Sequence, residues 1–209
     1  MTEGYNAIAG RSVERLAALS DGLFAVAMTL LVLDLKVPAA EAIHSDEALL
    51  VALADLAPRL LIYLMSFMIL GIFWVGQQTQ LNQLTQSDRN LTWIHLALLF
   101  AISLLPFSTS LMAEFMTLRA ALLVYWLNIL AFGVILYAAW YYACRAGLLR
   151  PEMTEAMQHL LVRRIVSSQA LYAFGAALCV VNTFWSIGFI LAVQLNYVIA
   201  PRIWFLRRL

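Results

Sequence analysis

Charge is scarce in this 209-residue sequence: 12% of the residues are Asp, Glu, Lys or Arg, against 64% apolar. Soluble domains carry about 25% charge and roughly 45–50% apolar residues, so this chain has too little charge to coat a water-facing surface. The same apolar excess excludes a disordered chain. Neither sign dominates. Thirteen Lys and Arg stand against 12 Asp and Glu, a net +1 that leaves no basic face for nucleic acid. Cysteine is limited to Cys144 and Cys179, both inside apolar runs and without CxxC or Cys/His spacing, so free buried thiols are expected and neither a disulfide framework nor a metal site. GxSxG, HExxH, a Walker loop and paired catalytic carboxylates are all missing, and His44, His95 and His159 are scattered along the chain. An enzyme is not expected, and no cofactor is implied.

What the sequence has is long hydrophobic runs. A helix needs about 20 mostly apolar residues to cross the hydrocarbon core. Six stretches meet that length: TM1 over about 13–37, TM2 over 56–82, TM3 over 90–113, TM4 over 118–144, TM5 over 160–182 and TM6 over 184–207. The last two are nearly continuous, and the polar step Asn182-Thr183 supplies the turn between them. The first run is too long for the apolar region of a cleaved signal, and a polar lead precedes it, so it counts as a span. The expected fold is an all-α membrane protein of six transmembrane helices, a single domain over 1–209 whose surroundings are a lipid bilayer. Pro106 should kink TM3, with Ser103 or Ser108 satisfying the freed backbone groups.

Orientation follows from basic residues in the short loops. Arg11, Arg15, Arg89, Arg145, Arg150, Arg163, Arg164, Arg202, Arg207 and Arg208 fall on one side, and Lys36, Arg59 and Arg119 on the other. Both termini are therefore expected in the cytoplasm, with the chain in the plasma (inner) membrane. Tyr137, Trp140, Tyr141 and Tyr142 then lie at the cytoplasmic end of TM4, where interfacial rings belong.

Polar residues inside a span are the best pointers to function, because each must face protein or water. TM1 reads RLAALSDGLFAVAMTLLVLDLK. On a helical wheel Gly22, Leu23, Val26, Thr29, Leu30 and Leu33 share one stripe, with Thr29 its only hydroxyl, and Asp21 lies roughly 140° from Val26. The stripe is compatible with lipid contact or helix packing as well as with a functional lining. At similar depth near the inner boundary stand Arg15, Ser20, Asp21, Gln77 and His95, and a hydrogen-bonded structural belt joining TM1, TM2 and TM3 is the economical arrangement. Asp34, just beyond Leu33, either concentrates cations at an outer mouth or pairs with Lys36 or Arg59.

Arg15, Leu19, Ser20, Asp21, Gly22, Ala25, Thr29 and Leu33 together resemble the RxxxFSDGxxAxxxTxxxL signature of the transmembrane protein 175 family of potassium channels. FWVGQQ, DRNLTW and LLPF continue the likeness through TM2 and TM3, to about residue 112. Leu19 stands where the family usually has Phe, Gln77 where it has His, and His95 where Asn is common. The resemblance implies a homotetramer around a central pore lined by TM1, conducting K+ through hydrophobic constrictions with no TVGYG filter. Carried over by position, the constrictions are Val26, Leu30 and Leu33, with Thr29 as a hydroxyl layer, the same residues that share the wheel's stripe. A secondary transporter and a non-conducting membrane scaffold are the alternatives. Pro106 keeps the first open, although no inverted repeat is visible.

Overall fold

The computed structural model describes residues 10–199. Eight α-helices make up almost all of it. They are α1 (Val13–Leu30), α2 (Asp46–Asp55), α3 (Ala57–Leu81), α4 (Arg89–Ser103), α5 (Leu105–Glu114), α6 (Arg119–Arg145), α7 (Glu155–Ala177) and α8 (Thr183–Ile199). Side chains fix several starts by accepting orphan backbone N–H groups. Ser12 Oγ accepts from Arg15 N for α1, Ser45 Oγ from Ala48 N for α2, Asp88 Oδ1 from Leu91 N for α4 and Thr154 Oγ1 from Met157 N for α7.

Four segments are long and apolar enough to cross a membrane: Val13–Asp34, Ala57–Leu81, Arg89–Glu114 and Arg119–Arg145. They coincide with the expected TM1 to TM4 to within a few residues. The expectation of six spans is met only in this coarser form. Helix α7 starts at Glu155, five residues earlier than the apolar run suggested, and its middle carries Arg163, Arg164, Ser167, Ser168 and Gln169. Helix α8 is described for 17 residues, and the expected end of TM6, with Arg202, Arg207 and Arg208, lies outside the described residues.

Three features depart from the sequence reading. The segment after TM1 is not a plain loop, because it contains α2, which leads through Leu56 directly into α3. The expected kink in TM3 is a break: α4 ends at Ser103, and α5 begins with Pro106 in its first turn, where the missing N–H costs nothing. Ser103 Oγ donates to Phe100 O before the break and Ser108 Oγ to Leu105 O after it, each within its own helix. Of the aromatic residues at the end of α6, Tyr137 and Tyr141 are exposed and stacked, with Arg145 over the Tyr141 ring, but Trp140 is fully buried. Tyr142 is half-buried and donates to Asp88 Oδ2.

The helices form a closed ring of neighbours. Helix α1 packs on α3 and α4, α4 on α6, α6 on α7, α7 on α8, and α8 returns to α3. Helix α5 fills the space between α3 and α6. Their apolar faces meet in one core that includes Phe24, Leu31, Ile69, Ile102, Tyr125 and Phe132. Helices α6 and α7 approach closely at Gly133, where a Cβ would lie 2.1 Å from Gln169 Nε2. Gly147, with φ +67°, terminates α6, and Leu148 N–H returns to Ala143 O. On the side expected to face the cytoplasm, an antiparallel bridge between Leu84 and Leu149 joins the α3–α4 and α6–α7 loops. Ser87 N–H donates to Arg11 O there, which ties in the lead to α1.

Candidate functional site

Helix α1 has two unlike faces. Leu16, Ser20, Phe24 and Ala27, followed by Leu31 in the next turn, are buried against α3 and α4. Their spacing of three or four keeps them on one side of the helix. Round the helix, Val26, Leu30 and Leu33 are 52%, 44% and 70% exposed, and Gly22, Ala25 and Thr29 are exposed beside them. Thr29 Oγ1 donates to Val26 O at 2.8 Å, which holds the hydroxyl at the helix surface with its lone pairs outward. From Leu31 to Asp34 the helix tightens into a 3₁₀ turn. The rise there is nearer 2 Å per residue, so Leu33 stands about 6 Å beyond Leu30 instead of the 4.5 Å of an α-helix.

On the buried face, Gln77 Nε2 donates to Ser20 Oγ at 3.0 Å and lies 3.1 Å from His95 Nδ1. Ser20 Oγ in turn donates to Leu16 O at 2.9 Å. An amide nitrogen can only donate, so Nδ1 accepts and the His95 proton sits on Nε2. All three residues are buried, and they join α1, α3 and α4.

Asp21 and Arg15 are not in this group. Asp21 is exposed, and its Oδ1 accepts from Trp74 Nε1 at 2.7 Å and from Gln78 Nε2 at 2.5 Å. It faces an open, largely apolar groove of about 700 Å³ bordered by α1, α3, α7 and α8. Arg15 is exposed in the first turn of α1, and its backbone N–H serves the Ser12 cap. Trp74 and Gln78 stand one turn apart on one face of α3, and that face, not the one carrying Gln77, meets Asp21. At the far end, half-buried Asp34 accepts a hydrogen bond from Ser110, and Arg59 pairs with Glu114 instead. Neither pairing was foreseen. The run of hydroxyl donors in α5, Ser108 to Ser110, was the available signal for Asp34.

The family described as the endosomal/lysosomal potassium channel TMEM175 matches residues 15–106, which run from α1 through α4 to the first residues of α5. A potassium channel of Streptomyces collinus is 33% identical over 146 residues, covering 68% of this chain and 69% of that protein. The chain belongs to the TMEM175 family. The crystal structure of a lysosomal potassium-selective channel TMEM175 homolog from Chamaesiphon minutus superposes with a TM-score of 0.79 at 26% identity, over 90% of this chain and 97% of that one. The endosomal/lysosomal proton channel TMEM175 of Homo sapiens is 27% identical over 191 residues, but this chain spans only 36% of its length. The TMEM175 match includes both the buried Ser20–Gln77–His95 contact and the exposed stripe of α1.

Proposed function

We propose that the chain is a potassium-selective cation channel whose pore is enclosed by four copies, with α1 innermost. Membership of the family supports a membrane cation channel. The finer reading rests on one observation: the exposed face of α1 is an apolar stripe with a single hydroxyl, while its opposite face is committed to the subunit core. Fourfold symmetry turns each stripe residue into a ring. Val26, Leu30 and Leu33 then make three stacked constrictions, and Thr29 a layer of hydroxyls between them. A ring of branched side chains closes by expelling water, and an ion without water meets most of its dehydration cost. Sodium holds its shell more tightly than potassium, so a narrow apolar neck favours potassium modestly without a carbonyl filter. Asp34, tethered by Ser110, lies near the outer end of the stripe, where its charge attracts cations. The Ser20–Gln77–His95 contact holds α1 at a fixed rotation and so aims the stripe. The basic loop bias places both termini in the cytoplasm, with the channel in the plasma membrane.

The test is ion flux through the purified protein in liposomes. Potassium uptake above that of empty liposomes, exceeding sodium uptake, is expected. Uptake that requires a gradient of a second solute would mean a transporter, and no uptake would mean a scaffold.

A further inference from the structure

A second polar region lies behind α3, and none of its lining residues comes from α1. Between α3, α6, α7 and α8 is a cavity of about 50 Å³ whose polar lining is Thr79, Gln80, Arg164, Ser168, Tyr172 and Tyr197. A water needs at least about 10–15 Å³ by this measure, so the space has room for one or more. Two of the lining groups demand a partner. Gln80 is 4% exposed and Tyr172 fully buried, and neither Gln80 Oε1 nor the Tyr172 hydroxyl has a hydrogen-bond partner among the described residues. Within a membrane, lipid supplies none.

The polar groups continue inward from the cavity. Tyr125, fully buried on α6, lies in the same core as Tyr172. The Tyr125 hydroxyl accepts from Ser66 Oγ at 3.2 Å, and Thr109 Oγ1 donates to Ser66 Oγ at 2.8 Å. Gln194 on α8 is also fully buried, and neither of its amide atoms makes a hydrogen bond among the described residues. From Gln80 to Ser66 this seam follows α3 for about 21 Å.

We propose that each subunit binds ordered water in this cavity, separate from any pore along α1. The Tyr172 O–H donates to the water, and the water donates to Gln80 Oε1. The ligand is neutral. Among the described residues the cavity lining holds no carboxylate, and the Arg164 guanidinium at its wall repels cations. Arg164 and Tyr197 border both this cavity and the open groove beside Asp21, with the guanidinium 5.9 Å from the Tyr197 ring centre. This pair is the partition through which water enters.

Radiolytic hydroxyl-radical labelling of the full chain in detergent tests the proposal, because radicals formed from bound water mark the rings next to it. Tyr172 and Phe132 are equally buried, and Phe132 packs in the apolar core. Tyr172 is expected to be labelled several-fold faster than Phe132, and Gln80→Leu, which removes the acceptor and fills the space, to bring it down to the Phe132 rate. Tyr172→Phe adds a signed check. Removing a hydroxyl bonded to water should lower Tm by about 2–4 °C, whereas removing an unpaired one should raise it. Equal labelling of Tyr172 and Phe132, or a raised Tm for Tyr172→Phe, overturns the proposal whatever the ion flux shows.

Discussion

The two faces of α1 spend the same helix in opposite ways. The buried face carries its polar residues in pairs: Ser20 meets Gln77, and Gln77 meets His95, within 3.1 Å. The exposed face carries almost nothing polar and touches no other part of its own subunit's core. A helix lying in lipid on its outer side could show the second pattern, but the exposed stripe includes Gly22, Ala25 and Thr29 beside the branched residues. Small residues let backbones approach and favour helix–helix packing over lipid contact. The polar contacts on one face therefore orient the helix, and the bare face is the one left for partner subunits and for permeating ions.

The largest effect should come from breaking the buried face. Phe24→Ala leaves a hole against α3 and α4, and its cost should reach the low end of the roughly 3–5 kcal/mol seen for buried Phe, because in lipid only the lost packing counts. Thermal unfolding in detergent should show it, while potassium flux per folded channel stays unchanged. Next comes Gln77→Leu, which strands His95 Nδ1 and leaves the Ser20 hydroxyl with only its bond to Leu16 O. The expected loss is about 1–3 kcal/mol of stability, with lower recovery of the assembled form in size-exclusion chromatography and no change in ion preference. Altered potassium-to-sodium preference in that variant would place the contact at the pore instead.

Much of this was legible in the sequence, for identifiable reasons. The ends of α1, α3, α4 and α6 could be read because hydropathy stops where the caps Ser12 and Asp88 or the glycine at 147 begin. The motif in TM1 carried the family. Helix α2 was missed although Ser45, Asp46 and Glu47 precede the apolar stretch, since a run that short gives no spanning signal. The start of α7 was missed because its cap, Thr154, opens a first turn, Glu155 to His159, that hydropathy reads as loop. Partners of Asp21 were out of reach for a different reason. Sequence gives the height of a residue along a span but not the rotation of the neighbouring helix, and 100° separates Gln77 from Gln78.

A comparable change on the exposed face should act on flux and not on stability. Val26→Ser and Leu33→Ser each put four hydroxyls into an apolar ring, and a rise in potassium conductance of about tenfold corresponds to about 1.4 kcal/mol off the dehydration barrier. Discrimination against sodium should fall in parallel, measured by single-channel recording at reversed gradients. Leu30→Ser should behave likewise. Unchanged flux at all three positions would remove α1 from the pore.

The smallest effect is expected at the outer end, where the comparison between faces gives way to the surface. Arg59 and Glu114 pair at 2.5 Å, but their side chains are 37% and 55% exposed. Water competes for both groups, and two long side chains lose freedom to hold one geometry, so the pair is worth about 0–1 kcal/mol. It does join α3 to the end of α5, next to Ser110, which holds Asp34. Arg59→Ala should therefore move Tm by no more than about 2–4 °C. Flux at low potassium should change more than flux at high potassium, because losing a cation near Asp34 strengthens the local attraction for permeant cations, and salt screens that gain. Measured across a range of potassium concentrations, the variant's conductance should exceed that of the unmodified protein at the low end and converge with it at the high end. Curves that stay parallel throughout would separate Asp34 from the conduction path and confine the outer charges to holding α3 and α5 together.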